Sequence, residues 1–343
     1  MSSTMTIAAI HRASSNLEAL EARKVNTLRV MGNREEVPFY ILPDTLRNWP
    51  YAERVISPYY RAAQAESVAW LENFHPFTPA GQKAFNKCDF SLICALTYHK
   101  ASHEILRSCC DFMHAFFMLD EHTDPLPTDQ VIIHCEVTMD AILHPDKPRP
   151  EGEPIIGEIA RQFWKRASTY AHQATKERFL KAWRSYLDSI ILQAQRRDKD
   201  RYICTIDEYI AARRDNCGAY PCFAFLEISL GLNIPHYVTE HPYLVALNRD
   251  TNDMIVLAND MCSYKEILVD DADYNAVTAA FSGFLTPTMR SLDVLNKRGF
   301  PSFGEDLDRQ IADYIERLGQ WIRGQDEWNF CSGRYSGEDG LKI

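Results

Sequence analysis

Apolar residues recur at helical intervals along most of the chain. Segments 62–74, 82–119, 131–143, 155–196, 207–216, 220–232, 242–268, 275–284 and 303–323 each place them three and four apart, the spacing of one face of an α-helix. The long stretch 82–119 reads as two helices broken near Tyr98-His99, and HPDKPRPEGEP at 144–154 as a Pro-rich surface loop. Alternating apolar and polar runs are almost absent, as are a βαβ rhythm and a repeat of roughly 20–50 residues. The expectation is an all-α fold of about ten helices or more, packed as one bundle.

Nothing marks a second domain. Residues 1–36 are polar and mixed in charge and read as a loose or partly helical, partly ordered extension. From residue 37 the text VPFYILPDTLRNWPYAERVISPYY sets four prolines among large apolar side chains. That combination suits an ordered segment wrapping a core, so 37–343 is expected to be one helical domain.

Charge and cysteines narrow the class. Asp and Glu number 47 against 37 Lys and Arg, a net charge of −10, which argues against a nucleic-acid partner or an anionic membrane surface. The 10 cysteines show no CxxC and no zinc spacing, so buried free thiols in a reducing compartment are expected. No apolar run approaches the roughly 20 residues of a membrane span, and MSSTMTIAAIHRASSNLEALEARK lacks the apolar core of a signal peptide. The expectation is a cytoplasmic protein without stable membrane insertion, a monomer or a homodimer.

The densest chemistry lies in FFMLDEHTDP at 116–125. An apolar helix ends in Asp120, Glu121 and Asp124, and Pro125 forbids its continuation. At about 100° per residue Asp120 and Asp124 share a face, with Glu121 beside them. Grouped anions at a helix C-terminus repel one another and the carbonyl dipoles. They are explained either as a solvated acidic end or as oxygen ligands for a hard cation such as Mg2+.

Three further stretches carry polar groups that need partners. In NDMCSYKE at 259–266, Asn259, Ser263 and Glu266 fall on one stripe of a helix with apolar flanks, an oxygen-only donor set. Lys265 points off that stripe but can swing toward an anion, and Asp260 lies about 100° away and suits an arginine partner. In ARRDNCGAYP at 212–221, Gly218 and Pro221 interrupt a helix and release backbone groups just after Arg213 and Arg214. Paired arginines are ordinarily surface ion pairs, yet their planar fork also suits phosphate. Finally WNFCSGRYSG at 328–337 offers Arg334 and a Tyr335 hydroxyl in a Gly/Ser loop. His99 and His103, spaced i, i+4, lack the glutamate position and the third ligand of a zinc helix.

Together these stretches describe two oxygen clusters for divalent cations, arginines for an anion, and Phe116, Phe117 and Trp328 as aromatic walls. That set resembles the class I terpene synthases, the fungal (basidiomycete-type) sesquiterpene synthases in particular. DEHTD looks like their D(D/E)xxD motif and NDMCSYKE like their NSE motif. RRDNCG looks like the segment bearing the pyrophosphate-sensing arginine, and GRY like the terminal Arg-Tyr pair; the likeness runs from about residue 37 to 340. The resemblance implies the class I terpenoid synthase helical bundle with three Mg2+ (Mn2+ as an alternative ion). Asp120 would be the principal metal ligand with Glu121 and Asp124 secondary, and Asn259, Ser263 and Glu266 would hold the other site.

The same resemblance makes Arg213 the diphosphate sensor, Asn216 its linker and Cys217, through its carbonyl, the effector. Arg334 and Tyr335 would clamp the diphosphate with Lys265 assisting, and Phe116 and Phe117 match the aromatic pair before the first motif. One departure stands out. The family's glutamate comes eight residues after the asparagine, whereas Glu266 comes after seven and Ile267 occupies the eighth place. The implied activity is ionisation of a prenyl diphosphate, farnesyl diphosphate first, to a sesquiterpene hydrocarbon or alcohol. An acyclic-alcohol synthase of linalool or nerolidol type and a non-catalytic diphosphate-binding protein are the alternatives. A prenyltransferase would instead call for a second aspartate-rich motif.

Overall fold

The computed structural model describes residues 26–29, 36–39, 46, 49, 51, 54–199, 205–263 and 301–335. Within them the chain runs through α1 (Tyr60–Glu72), α2 (Pro79–Lys87), α3 (Phe90–Thr97), α4 (His103–Thr123) and α5 (Thr128–Leu143). It continues through α6 (Ile156–Ala167), a 3-10 turn (Ser168–Tyr170), α7 (Gln173–Arg197), α8 (Ile206–Asn216) and α9 (Ala219–Leu230). After the short α10 (His236–Thr239) come α11 (Pro242–Cys262) and α12 (Glu305–Cys331). The all-α bundle expected from the periodicity is what the chain forms, with one exception. Residues Asn26–Arg29 and Glu36–Phe39 pair as an antiparallel hairpin, Asn26 opposite Phe39 and Arg29 opposite Glu36. The pairing straddles the 36/37 boundary and ties a stretch expected to be loose or partly helical to the start of the segment expected to be ordered. Thr27, Leu28, Val37 and Phe39 are residues that favour extended backbone.

Local chemistry sets the helix ends. Thr78 caps α2 by accepting from the Gly81 amide at 3.2 Å, with Pro79 in the first turn. Cys88 and Asp89 then break the stretch 82–119 a second time, before the expected break at Tyr98-His99. Asp89 adopts the left-handed conformation (φ 47°) and caps α3 by accepting from Leu92 N at 3.1 Å. Thr205 and Glu208 form a capping box that starts α8. The segment 155–196 divides at Ser168–His172, so α6 and α7 are separate helices. Helix α12 extends past residue 323 to Cys331, which places Trp328 inside the helix and only Ser332–Tyr335 in the turn beyond it. The expected continuation of α11 to residue 268 and the helix at 275–284 lie outside the described residues.

Helix α4 is the central element, packed against α1, α3, α6 and α9, while α12 lies against α3, α9 and α11. An aromatic spine fills the space between α4, α6, α7 and α9. Phe112 stacks on Phe225 with centroids 4.2 Å apart, and Trp164 on Phe179 at 4.3 Å. Nearer the carboxylate end of α4, Phe116 stacks on Tyr186 at 4.6 Å. The start of the bundle is strapped down too: Trp49 Nε1 donates to Gly319 O at 3.0 Å, and Arg323 reaches the carbonyls of Leu46 and Tyr51. This fits the Pro-rich segment read as wrapping the core.

Phe112 is fully buried and touches rings from three other helices. Phe112→Ala is therefore expected to cost about 3–5 kcal/mol in chemical denaturation, with Phe112→Leu costing clearly less.

Candidate active site

The three carboxylates sit where the periodicity put them. Asp120 and Glu121 occupy the last turn of α4 and Asp124 is its C-cap, its amide bonded to Asp120 O at 3.0 Å. The Asp120 side chain keeps 35% of its surface exposed and Glu121 45%. Burial, reinforced by the charges of Asp124 and Glu121, pushes Asp120 up to about 7 against the pull of Arg334 and Arg213. Asp124 is raised as well, by burial and then by Glu121.

Arg334 answers this cluster from the opposite end of the sequence. Its Nη1 donates to Glu121 Oε1 at 2.7 Å, and its Nη2 lies 3.6 Å from Asp120 Oδ2. The guanidinium sits 5.1 Å from the Phe117 ring centre and 5.8 Å from that of Phe90. Burial opposes its charge, but Tyr335, Glu121 and Asp120 more than offset that and raise its pKa. Its Nε is buried without a hydrogen-bond partner among the described residues.

A second cluster forms where α8, α11 and the C-terminal turn meet. Arg213 donates through Nη2 to Asp260 Oδ1 at 2.8 Å and to Asn259 Oδ1 at 3.1 Å, and through Nη1 to Asn216 Oδ1 at 2.8 Å. Tyr209 donates to the other Asp260 oxygen at 2.8 Å. Asn259 Nδ2 in turn donates to the Tyr335 hydroxyl at 2.7 Å. Asn259 thus joins Arg213 to the residue next to Arg334, and the two clusters become one network. Ser263 caps α11, its hydroxyl donating to Asn259 O at 2.9 Å. Lys265 and Glu266 lie outside the described residues.

The helix break is held by groups that the sequence reading passed over. Arg214 makes a two-pronged pair with buried Asp253 at 2.6 and 2.8 Å, a tighter bond than the surface pairing expected of it. Asn252 donates to Arg214 O at 2.7 Å and accepts from the Cys217 thiol at 2.8 Å. Gly218 is left-handed (φ 69°), and a Cβ there would lie 2.2 Å from Phe116 Cζ. Only glycine lets the ring of the first motif lie against the break. Pro221 has no N–H, so the Cys217 carbonyl loses its helical i+4 donor.

His99 and His103 do not converge. His99 faces Arg317 and Leu96 O, whereas His103 pairs with Glu66. Tyr186 and Trp183, both buried and lining the spine beside Phe116, were absent from the sequence reading because an aromatic at helical spacing looks like any core residue.

The comparisons with known proteins meet this geometry directly. Residues 111–282 match the family described as terpene synthase family 2, C-terminal metal binding. A relative named Sesquiterpene synthase 14, from Postia placenta, is 40% identical over 316 residues, covering 88% of this chain and 89% of that protein. The chain belongs to the terpene synthase family. A Delta(6)-protoilludene synthase of Stereum hirsutum is also 40% identical, over 88% of this chain and 85% of that one. Among crystal structures, an α-eudesmol synthase aligns with TM-score 0.66 at 20% identity over 81% of this chain and 96% of that one. A Streptomyces clavuligerus linalool/nerolidol synthase aligns at 0.67 and 18% identity, over 82% and 97%. These distant likenesses establish the class I helical fold. Family membership makes the chain an enzyme and brings with it use of a divalent metal.

Whether a cation fits can be asked of the carboxylates themselves. Among the described residues no three His, Cys, Asp or Glu side chains are already gathered around one point, since Glu121 is turned to Arg334. Yet Asp120 and Asp124 are held on one helix end at raised pKa, a crowding of hard oxygens that a divalent ion would relieve. The donor set fits.

A pH-dependent stability effect follows. Asp120 has a higher pKa folded than unfolded, so its contribution is greatest at low pH and is lost as pH rises through about 7. Metal-free Asp120→Asn should therefore melt above the parent at pH 8 and approach it only near about pH 4, the ordinary carboxylate range, which thermal scans in EDTA would check.

Proposed function

We propose that this terpene synthase ionises a prenyl diphosphate, farnesyl diphosphate first, and releases a sesquiterpene hydrocarbon or alcohol together with diphosphate. The reading is carried by one observation: Arg334, with a spare buried donor, bridges toward the Asp120 cluster, while its neighbour Tyr335 connects through Asn259 to Arg213. These contacts link residues of four stretches far apart in sequence, which supports reading them as one polyanion site.

Asp120 and Asp124, with Glu121 once it leaves Arg334, would hold one part of the metal complement. Asn259, Ser263 and Glu266 would hold the other. The ion is Mg2+, three in number by family likeness, with Mn2+ as an alternative. Bound there, the ions supply positive charge against the leaving diphosphate.

The chain's own groups do the rest. Arg334 and Tyr335 donate to diphosphate oxygens. Arg213, pre-aligned by Asp260 and Asn216, can extend a further donor toward the same group, with Lys265 assisting. As the C–O bond breaks, both its electrons leave with the diphosphate and an allylic cation remains. The faces of Phe116 and Phe117, with Tyr186 and Trp183 deeper, offer that cation negative quadrupoles and exclude water. Loss of a proton or addition of one water completes the turnover. By the helical period of the sequence the shortened spacing would leave Glu266 on the stripe of Asn259, and ligation there is expected with altered geometry. The catalytic unit is one helical domain over 37–343; among the described residues no helix is long and apolar enough to cross a membrane.

The test is product analysis by gas chromatography and mass spectrometry. Purified protein is given geranyl, farnesyl or geranylgeranyl diphosphate, with Mg2+ or with EDTA. A Mg2+-dependent C15 product from farnesyl diphosphate is expected, and Asp120→Ala should lower turnover by at least about a hundredfold. Unchanged product from that variant would remove Asp120 from the metal site, and no product from any substrate would sink the proposed reaction.

A further inference from the structure

Arg334 does not reach the carboxylates by the length of its side chain alone. Four consecutive residues, Lys87 to Phe90, at the corner between α2 and α3, hold the turn that carries it. The Gly333 amide donates to Lys87 O at 3.0 Å. The approach is so close that a Cβ on Gly333 would stand 2.7 Å from that carbonyl oxygen. Five residues earlier the Trp328 indole donates to Cys88 O at 2.9 Å and to Asp89 O at 3.0 Å. Phe90 then supplies a ring beneath the guanidinium and stacks on Phe117 at 3.9 Å, joining the corner to the helix of the first motif.

The corner itself is fixed by Asp89. In its left-handed conformation it accepts from Leu92 N, from Gln64 Nε2 at 2.8 Å and from the Tyr60 hydroxyl. Backbone carbonyls aimed outward at a fixed spacing act as a jig. Gly333 is held there by lack of space for a side chain, because its φ is outside the left-handed region.

We propose that the α2–α3 corner is a positioning element for diphosphate recognition. Gly333 and Asp89 are its positioning residues, and they set where the Arg334 guanidinium stands relative to Asp120. The proposal rests on the reading of Arg334 as a diphosphate ligand. Neither residue touches substrate; both act through the turn at 332–335.

The experiment measures KM for farnesyl diphosphate, kcat, competitive inhibition by inorganic pyrophosphate with Mg2+, and Tm. The chains compared are the parent, Gly333→Ala, Arg334→Ala and the double variant. For Gly333→Ala, KM and the pyrophosphate inhibition constant should both rise about tenfold, with Tm close to the parent. The double variant should bind no worse than Arg334→Ala alone, since displacing a side chain already removed costs nothing more. Asp89→Ala should weaken pyrophosphate in the same way. Asp89→Asn, which tolerates the left-handed backbone and still accepts from Leu92 N, should restore it.

Unchanged constants in Gly333→Ala overturn the proposal, as do losses that multiply in the double variant. Should Gly333→Ala not fold, Trp328→Phe deletes the two indole hydrogen bonds while keeping a ring. Parent-like pyrophosphate inhibition in it overturns the proposal equally. A parent enzyme that pyrophosphate does not inhibit would overturn the diphosphate reading itself, a result separate from any variant's.

Discussion

Three carboxylates at the C-terminal end of a half-buried helix repel each other, and the surrounding architecture answers that repulsion. Burial pushes Asp120 up to about 7, and the charges of Asp124 and Glu121 add to the rise. Among the described residues Arg334 makes the direct contact with the cluster, 2.7 Å from Glu121 and 3.6 Å from Asp120. A carboxylate end built for stability would have placed cations in that last turn. Such a local cost is what a site carries when it is shaped for a charged ligand and not for the empty chain.

The second arginine is treated differently. Arg213 is held at three points, by Asp260, Asn216 and Asn259, and Asp260 is itself oriented by Tyr209. Its orientation is fixed before any anion arrives, so little rotamer freedom remains to be lost on binding. Asn259 is the hinge of the arrangement, for its amide accepts from Arg213 and donates to Tyr335. The Asn259 side-chain oxygen is the atom that receives Arg213.

Backbone breaks matter as much as side chains. Gly218 leaves room for the Phe116 ring, and Asn252 and Asp253 on α11 clamp both flanks of the break. A missing Cβ lets the Phe116 ring lie on the turn and form an aromatic wall beside the carboxylates. At the other end of the site Gly333 does the analogous job for Arg334.

Much of this was legible in the residues. The helical period, the stop at Pro125, the break at Gly218 and Pro221, the acidic cluster and the preference of Asp260 for an arginine are properties of spacing and side-chain type, which act over one or two turns. Such local rules did not foresee the hairpin across residue 36, the second break at Cys88-Asp89 or the helical state of Trp328. Nor could they choose partners. Arg334 meets Glu121 across 213 residues and Trp328 meets Cys88 across 240, and those meetings depend on how α4, α12 and the α2–α3 corner cross. Periodicity says which face of a helix is polar. Only the packing of the bundle decides which other face it confronts, because that choice is made by the shapes of many buried side chains at once.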